Sequence, residues 1–506
     1  MNALNNQYVR NNSDPGFNKE VLDYPEKVIQ FGTGVLLRGL PDLIIDQANK
    51  QGKFCGRIAM VKSTDRGSVD SFVDQDCLYT VGVRGIENGV VVDKKEICTS
   101  VSRVLVAKDD WQSILEIAES DNLEVVVSNT TEVGISFTYE ILKEGECPES
   151  FPGKLLAILK HRFDFFLGDD TKGLVILPTE LISENGRKLK AIVRELAEVN
   201  EMDQEFIIWV EEANVFCNTL VDRIVPGALK GREAEQFNKS LHYQDANSII
   251  AEPYALWAIE GNESVKDKLT FCTPESGAFV EENIEKYKEI KLRLLNASHT
   301  FSSGLAYLLS FNLVKESMND GAFLNYLQGL MMEEINFAMG QNIPAEEKKA
   351  FAFKVVDRFS NPFLEHQWLS ICMNYSSKMA MRCLPLISSY YKFKRELPAL
   401  MLFGFAAHLY FLKPVKSKDG QFFGSYAGKE YPINDPNAAF FQKIWQESSS
   451  FQEKVKKIAE NSELWGENLN NLDSFVPTVA GILEAFEADG VKATMSKTLL
   501  KEPEIT

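Results

Sequence analysis

Residues 27–31 (KVIQF) form a short β-type run that passes at once into Gly32-Thr33-Gly34 and then into an amphipathic stretch reaching about Lys50. This strand–turn–helix constrains the fold more than any other segment. A helix N-terminus offers free backbone N–H groups, and glycine in the turn before it lets an anion approach the chain. Phe31, Gly32, Thr33, Gly34, Val35, Leu36 and Arg38 are therefore candidate dinucleotide contacts. Gly32 and Gly34 fit the first two glycines of the GxGxxG fingerprint, whereas Leu37 occupies the third position.

The turn opens an alternation of strand-like and helical segments. Residues 57–62, 123–127 (LEVVV), 174–177 and 206–210 (FIIWV) read as further strands, the pattern of a doubly wound parallel sheet. Residues 81–106 differ, because Asn88-Gly89 between two Val-rich runs is a hairpin signal and predicts an antiparallel insertion. From about Tyr287 the apolar spacing becomes helical, notably over 291–318, 322–340 and 346–359. A chain of 506 residues exceeds what one core fills. The expected class is α/β: a Rossmann-type domain with an antiparallel insertion over 1–285, then a mostly α-helical substrate-binding and catalytic domain over 286–506.

Composition narrows the partners. A net charge of −18 opposes nucleic-acid phosphates. No apolar run is long enough for a membrane span, and residues 400–412, interrupted by Gly404 and His408, read as a buried helix. The polar N-terminus lacks a signal-peptide h-region, and the eight cysteines show no CxxC or CxxH clustering. A cytoplasmic chain with reduced thiols, no structural zinc, no membrane and a small-molecule partner is expected; oligomeric state is left open.

Two strand ends bear on the cofactor. The second strand ends Val61-Lys62-Ser63-Thr64-Asp65, where an acid would bind the ribose 2′-hydroxyl of NAD and Lys62 would suit the 2′-phosphate of NADP. Asn129 and Thr130 follow a strand of the same sheet, either beside the nicotinamide ribose or as a helix cap. Further on, Lys291-Leu-Arg-Leu-Leu-Asn296-Ala-Ser-His299 sets three polar groups on one helix. At ideal α-helical spacing His299 lies about 80° and Asn296 about 140° from Lys291, one broad face. The alternative is a snorkelling lysine, a capping asparagine and a core histidine.

KxxxxNxxH resembles the active-site helix of the mannitol dehydrogenase family, the polyol-specific long-chain dehydrogenases. The resemblance extends over FGTGVLLR (31–38), NTLVDRIVP (218–226), EPYALWAIE (252–260), Met318-Asn319-Asp320 and Arg358-Phe359-Ser-Asn361-Pro362. It implies a Rossmann-type domain followed by a helical one, catalysis in the cleft between them, and NAD in preference to NADP without zinc. It implies Lys291 as the acid–base residue, Asn296 as the oxyanion donor and His299 as the group positioning a substrate hydroxyl. A second oxyanion asparagine of the family has no match, since Glu180-Leu181 stands in its place. The logic is that a ketone accepts hydride only if its oxygen is protonated or neutralised, and lysine substitutes for a Lewis acid. To act as a base near neutrality, lysine would need its pKa lowered by about 3 units, roughly 4 kcal/mol.

The segments 179–182 (TELI), 216–223 (FCNTLVDR) and 377–385 (SKMAMRCLP) point within the family to sugar acids. Lys378 and Arg382, four apart, share a helix face and suit a carboxylate; Arg223, with Asn218 and Asp222, joins them as expected substrate contacts. Surface salt bridges, or a structural Asp222–Arg223 pair, are the alternatives. The expected activity is NAD-dependent reduction of D-tagaturonate to D-altronate. Rivals are a fructuronate or mannitol-type substrate, and a non-catalytic sugar- or dinucleotide-binding protein of the same fold.

Overall fold

Val-rich runs that cannot expose either face must be covered twice, and the first part of the chain folds accordingly. The computed structural model describes residues 2–12, 19–64, 67–130, 133–227, 229, 231–273 and 275–499. Two compact units emerge, Met1–Arg84 with Val91–Glu285, and Gly85–Val90 with Lys286–Thr506.

In the first unit six parallel strands lie in the order Val101–Val106, Arg57–Lys62, Glu26–Phe31, Val125–Ser128, Val175–Pro178, Val215–Phe216. In chain order this is 3-2-1-4-5-6, the doubly wound Rossmann arrangement. Alternate side chains feed two cores. Ile29, Ala59, Val61, Val126 and Ile176 pack with the helices Trp111–Ala118, Phe151–Phe165 and Asn185–Val199. Val28, Met60, Val125, Val127 and Leu177 pack on the other side with Ile44, Ile249 and Trp257. Both faces are thus sealed, as a parallel sheet requires.

Three expectations need correction. Residues 206–210 lie in a helix, Gln204–Glu212, and the sixth strand is Val215–Phe216. Phe206, Ile207, Trp209 and Val210 are buried while Ile208 is exposed, an i, i+1, i+3, i+4 face that a five-residue apolar run cannot distinguish from a strand. The stretch 35–50 is two helices, Val35–Gly39 and Pro41–Lys50, because Pro41 starts a new helix after the non-helical Leu40 (φ −127°, ψ −79°). The insertion is also shorter than 81–106, since Val101–Val106 is the edge strand of the parallel sheet. The hairpin itself, Tyr79–Glu87 and Val90–Cys98, turns on Asn88 (φ 53°) and Gly89 (φ 74°), and Ile249–Ala251 adds a third strand in parallel. A further small sheet joins Thr219–Asp222, Leu256–Glu260 and Ala278–Glu281.

The second unit is mostly helical around one core. Its axis is Ala399–Phe411, buried along its length apart from Ala399 and Tyr410, with Ser298–Leu308 packed beside it. Gly404 permits that approach, because a Cβ there would meet the Phe301 carbonyl oxygen at 2.9 Å. Helices do not account for all of it. Lys416–Lys418, Gln421–Tyr426 and Lys429–Ile433 form an antiparallel meander, turning on Asp419-Gly420 and Ala427-Gly428, all with positive φ. Among the described residues no helix is long and apolar enough to cross a membrane.

Candidate functional site

The first unit's candidate site is built from backbone. Gly32 N–H donates to the Val61 carbonyl (2.9 Å) and Asn129 N–H to that of Phe31 (3.0 Å), so both residues sit at the carboxyl ends of the central strands where the strand order reverses. Open α/β sheets take ligands at that point. Gly32 has φ +125°, and a Cβ there would lie 2.8 Å from Leu37 Cδ1 and 3.0 Å from the Asn129 carbonyl oxygen. Leu37, at the third-glycine position, is fully buried and reaches over the space that Gly32 leaves empty. Gly34, by contrast, is the exposed residue before the helix, with ordinary φ of −66° and nothing within 4 Å of a Cβ position. Thr33, Val35 and Leu36 flank it half-buried. The turn therefore has the shape a pyrophosphate needs: one glycine for the chain's path and one for open approach.

Around this turn, Glu180 is the residue that sequence reasoning left without a role. It is buried, and its carboxylate accepts from Thr130 N–H and Oγ1 (both 2.9 Å) and from Ser128 Oγ (3.1 Å). Burial raises its pKa, against those hydrogen bonds. The Asn129 amide donates to the Thr179 carbonyl and hydroxyl (3.1 and 3.0 Å). Asn129 and Thr130 are thus fixed at the strand end rather than capping a helix, while Leu181 is exposed.

Other basic candidates point elsewhere. Arg38 is buried, donates to the Asn247 carbonyl (2.8 Å) and lies over the rings of Phe72 and Tyr79, so it braces the domain interior instead of the turn. Arg223 donates to the carbonyls of Glu252 (2.8 Å) and Gly39 (2.7 Å), and burial lowers its pKa to about 10. It is a strut of the first unit, not a free carboxylate fork. Asn218 is likewise consumed, giving its amide to Glu260 (3.1 Å) and accepting from Arg187 N–H (3.2 Å). Asp222 ends the strand Thr219–Asp222, half-buried. Lys62 is buried and donates to the Thr64 carbonyl; Asp65 lies outside the described residues.

The second unit's candidate site is built from side chains. Residues Lys291–Ala297 are a π-helix inside an otherwise α-helical run, Glu285–Ile290 before and Ser298–Leu308 after. A ladder bonded i→i+5 holds more residues per turn, so Lys291 and Asn296, five apart, come closer to one face than the α-helical wheel allows. Both are half-buried. One turn on, the Tyr375 hydroxyl inserts between Thr300 and Gly304, donating to the Thr300 carbonyl and accepting from Gly304 N–H (2.8 Å each). This pins the helix that carries His299.

His299 stacks flat on Phe359 (centroids 4.0 Å, 5°) and meets Trp368 and His366 edge-on. Its Nε2 is buried and has no hydrogen-bond partner among the described residues. Burial, then the charges of His366, Arg358, Arg382 and Lys378, hold its pKa well below the imidazole range, so it is neutral at physiological pH. Arg358 and His366 were not foreseen as site residues, although Arg358 opens one of the distinctive motifs. Among the described residues Lys378 gives its ammonium only to the Ile371 carbonyl (2.9 Å), and the buried Arg382 Nε finds no acceptor. Among the described residues neither has a carboxylate partner. Burial and their mutual repulsion lower the Lys378 pKa, and burial lowers that of Arg382. Such charges destabilise the fold unless an anion arrives. Among the described residues no three His, Cys, Asp or Glu side chains gather as a metal-binding group.

Comparison with known proteins agrees with both halves. Residues 26–272 match the mannitol dehydrogenase Rossmann domain, and residues 283–487 the mannitol dehydrogenase C-terminal domain. An altronate oxidoreductase of Halalkalibacterium halodurans is 38% identical over 94% of this chain and 93% of its own length. One of Bacillus subtilis is 33% identical over 96% and 99%. In fold, the chain is similar to Pseudomonas fluorescens mannitol 2-dehydrogenase, solved with NAD and D-mannitol (TM-score 0.65, 22% identity, 99% of this chain and 100% of that one). A substrate-free D-sorbitol dehydrogenase gives TM-score 0.74 at 20% identity, covering 94% and 96%. The chain belongs to the mannitol dehydrogenase family of oxidoreductases.

Proposed function

We propose that this protein reduces the keto group of a hexuronate, D-tagaturonate to D-altronate, with NADH. The observation that carries the reading is the pair Lys378 and Arg382, half-buried beside His299 and unmatched by any carboxylate among the described residues. A neutral polyol offers nothing to offset those charges; a uronate carboxylate does, and the arginine fork suits its two oxygens. The relatives named altronate oxidoreductase support the same choice. A local cluster also reconciles an anionic substrate with a net charge of −18.

The turn Gly32–Leu36, with Asn129 and Thr130 at the neighbouring strand end, fits a dinucleotide: Gly34 is open and Gly32 admits the chain's path. When bound, the reduced nicotinamide supplies the hydride. Lys62 already gives its ammonium to the Thr64 carbonyl, which favours NADH over a cofactor bearing a 2′-phosphate. Lys291, as ammonium, protonates the carbonyl oxygen as it becomes an alkoxide, and the Asn296 amide donates to that oxygen. Neutral His299, fixed by the Phe359 stack, hydrogen-bonds a substrate hydroxyl without adding charge. In the reverse direction neutral Lys291 removes the hydroxyl proton. The role is that of a cytoplasmic enzyme with a small anionic substrate and neither nucleic acid nor membrane as partner.

NADH oxidation measured with tagaturonate, fructuronate and fructose, repeated with NADPH, tests the reading. Tagaturonate with NADH is expected to give the highest kcat/KM. Equal turnover of fructose, which shares the ketone but lacks the carboxylate, overturns it.

A further inference from the structure

Pro385 has no N–H, so the carbonyl of Met381, four residues earlier, lacks its α-helical donor. The chain responds with a π-helix, Met379–Cys383, closed by Leu384 N–H donating to the Met379 carbonyl five residues back. The carbonyls at its end are met from the π-helix Lys291–Ala297. Arg293 donates through one guanidinium nitrogen to the carbonyls of Met381 (3.1 Å) and Arg382 (2.7 Å), and its Nε pairs with Glu289 (2.7 Å). In return the Cys383 thiol points at the Ala297 carbonyl (3.7 Å). Arg293 thus belongs by sequence to the Lys291–Asn296 turn, yet its charge is spent on the backbone that carries Arg382.

We infer that Arg293 is a specificity-determining positioning residue: it locks the π-helix Met379–Cys383 so that Lys378 and Arg382 face the substrate carboxylate together. It touches no reacting atom in this scheme. The inference rests on the uronate reading of that cation pair. A lysine at 293 would keep the charge and the link to Glu289, but a point charge on a flexible stem cannot reproduce the planar fork that holds a carbonyl pair and a carboxylate at once. Loss of the lock should let Arg382 drift while Lys291 and Asn296 remain on their own helix.

The test compares wild type, Arg293→Lys and Arg293→Gln on tagaturonate and on fructose, each variant first checked for folding by circular dichroism and thermal melting. KM for tagaturonate is expected to rise about ten- to a hundredfold in both variants, with kcat and the fructose parameters changing little. Equal losses on both substrates, or an unchanged KM for tagaturonate in a folded variant, overturn the positioning role. If Arg293→Gln fails to fold, Arg293→Lys alone decides. The wild-type ratio separates the two levels: no preference for the acid in wild type defeats the uronate reading itself, whereas a wild-type preference retained by the variants defeats only the role of Arg293.

Discussion

Around Gly32 the first unit offers backbone and empty space; around His299, itself stacked on Phe359, the second offers charged side chains. The two regions carry different energetic burdens. At the turn, function and stability coincide in Gly32, whose absent side chain is filled by Leu37 and approached by the Asn129 carbonyl. At the cation cluster they conflict, because Lys378 and Arg382 are partly desolvated and have no carboxylate partner among the described residues. On the proposed reading, a site for a constant cofactor group can be part of the fold, while one that selects an anionic substrate keeps charges in reserve.

The largest expected effect breaks the chemistry and leaves both binding regions intact. Lys291→Met should lower kcat about 10²–10⁴-fold, the usual worth of a positioned acid–base group, with NADH binding by fluorescence titration unchanged. Full turnover by that variant would remove lysine from the mechanism. Chelator treatment is expected to leave the wild-type rate unaltered; loss restored by zinc would contradict the proton-carrier role.

Next, the two glycines separate shape from access. Gly32→Ala should cost about 2–4 kcal/mol in denaturant unfolding, from strained φ and a Cβ pressed on Leu37 and Asn129. Gly34→Ala should leave stability within about 0.5 kcal/mol and instead raise KM for NADH. Equal stability losses would mean that the open position is not open.

A further pair of effects concerns two buried ionisable groups with opposite signs. In the first unit, Asp42 accepts from Tyr79 and Gln30, and burial raises its pKa to about 7. Between about pH 4 and 7 the folded form holds a proton that the unfolded chain has released, so this group lowers stability as pH rises. In the second unit, His408 is caged by Tyr375, Phe405, Phe441 and Trp465, and burial lowers its pKa to about 3. Below about pH 6.5 the unfolded chain binds a proton that the folded form refuses, so this group lowers stability as pH falls. Each slope approaches ~1.4 kcal/mol per pH unit. Asp42→Asn should steepen the rise of stability with pH between 4 and 6.5, and His408→Leu should flatten it, in urea titrations across that range.

How much was legible follows the same division. The glycine turn, the hairpin at Asn88-Gly89 and the parallel character of the sheet are local matters of backbone freedom and apolar runs, and they read directly from the chain. Residues 206–210 misled because five apolar residues do not record their own period. The meander at 416–433 was signalled by Asp419-Gly420 but hidden by its helical surroundings. Arg38 and Arg223 were assigned from their places in motifs, yet a motif does not say where a long side chain turns, and both turn to carbonyls. The π-helix Met379–Cys383 was illegible for a stronger reason: the donor that compensates for Pro385 is Arg293, remote in sequence. Arg358 and His366 enter the site in the same way, through tertiary packing around His299.

The most direct test of the cation cluster is the Lys378→Met/Arg382→Met double variant, with kcat/KM measured on tagaturonate and on fructose. Expected is a fall of about a hundredfold or more on the acid, little change on the neutral ketose, and thermal stability kept or improved once the unmatched charges are gone. Parallel losses on both substrates would show that these residues do not read the carboxylate.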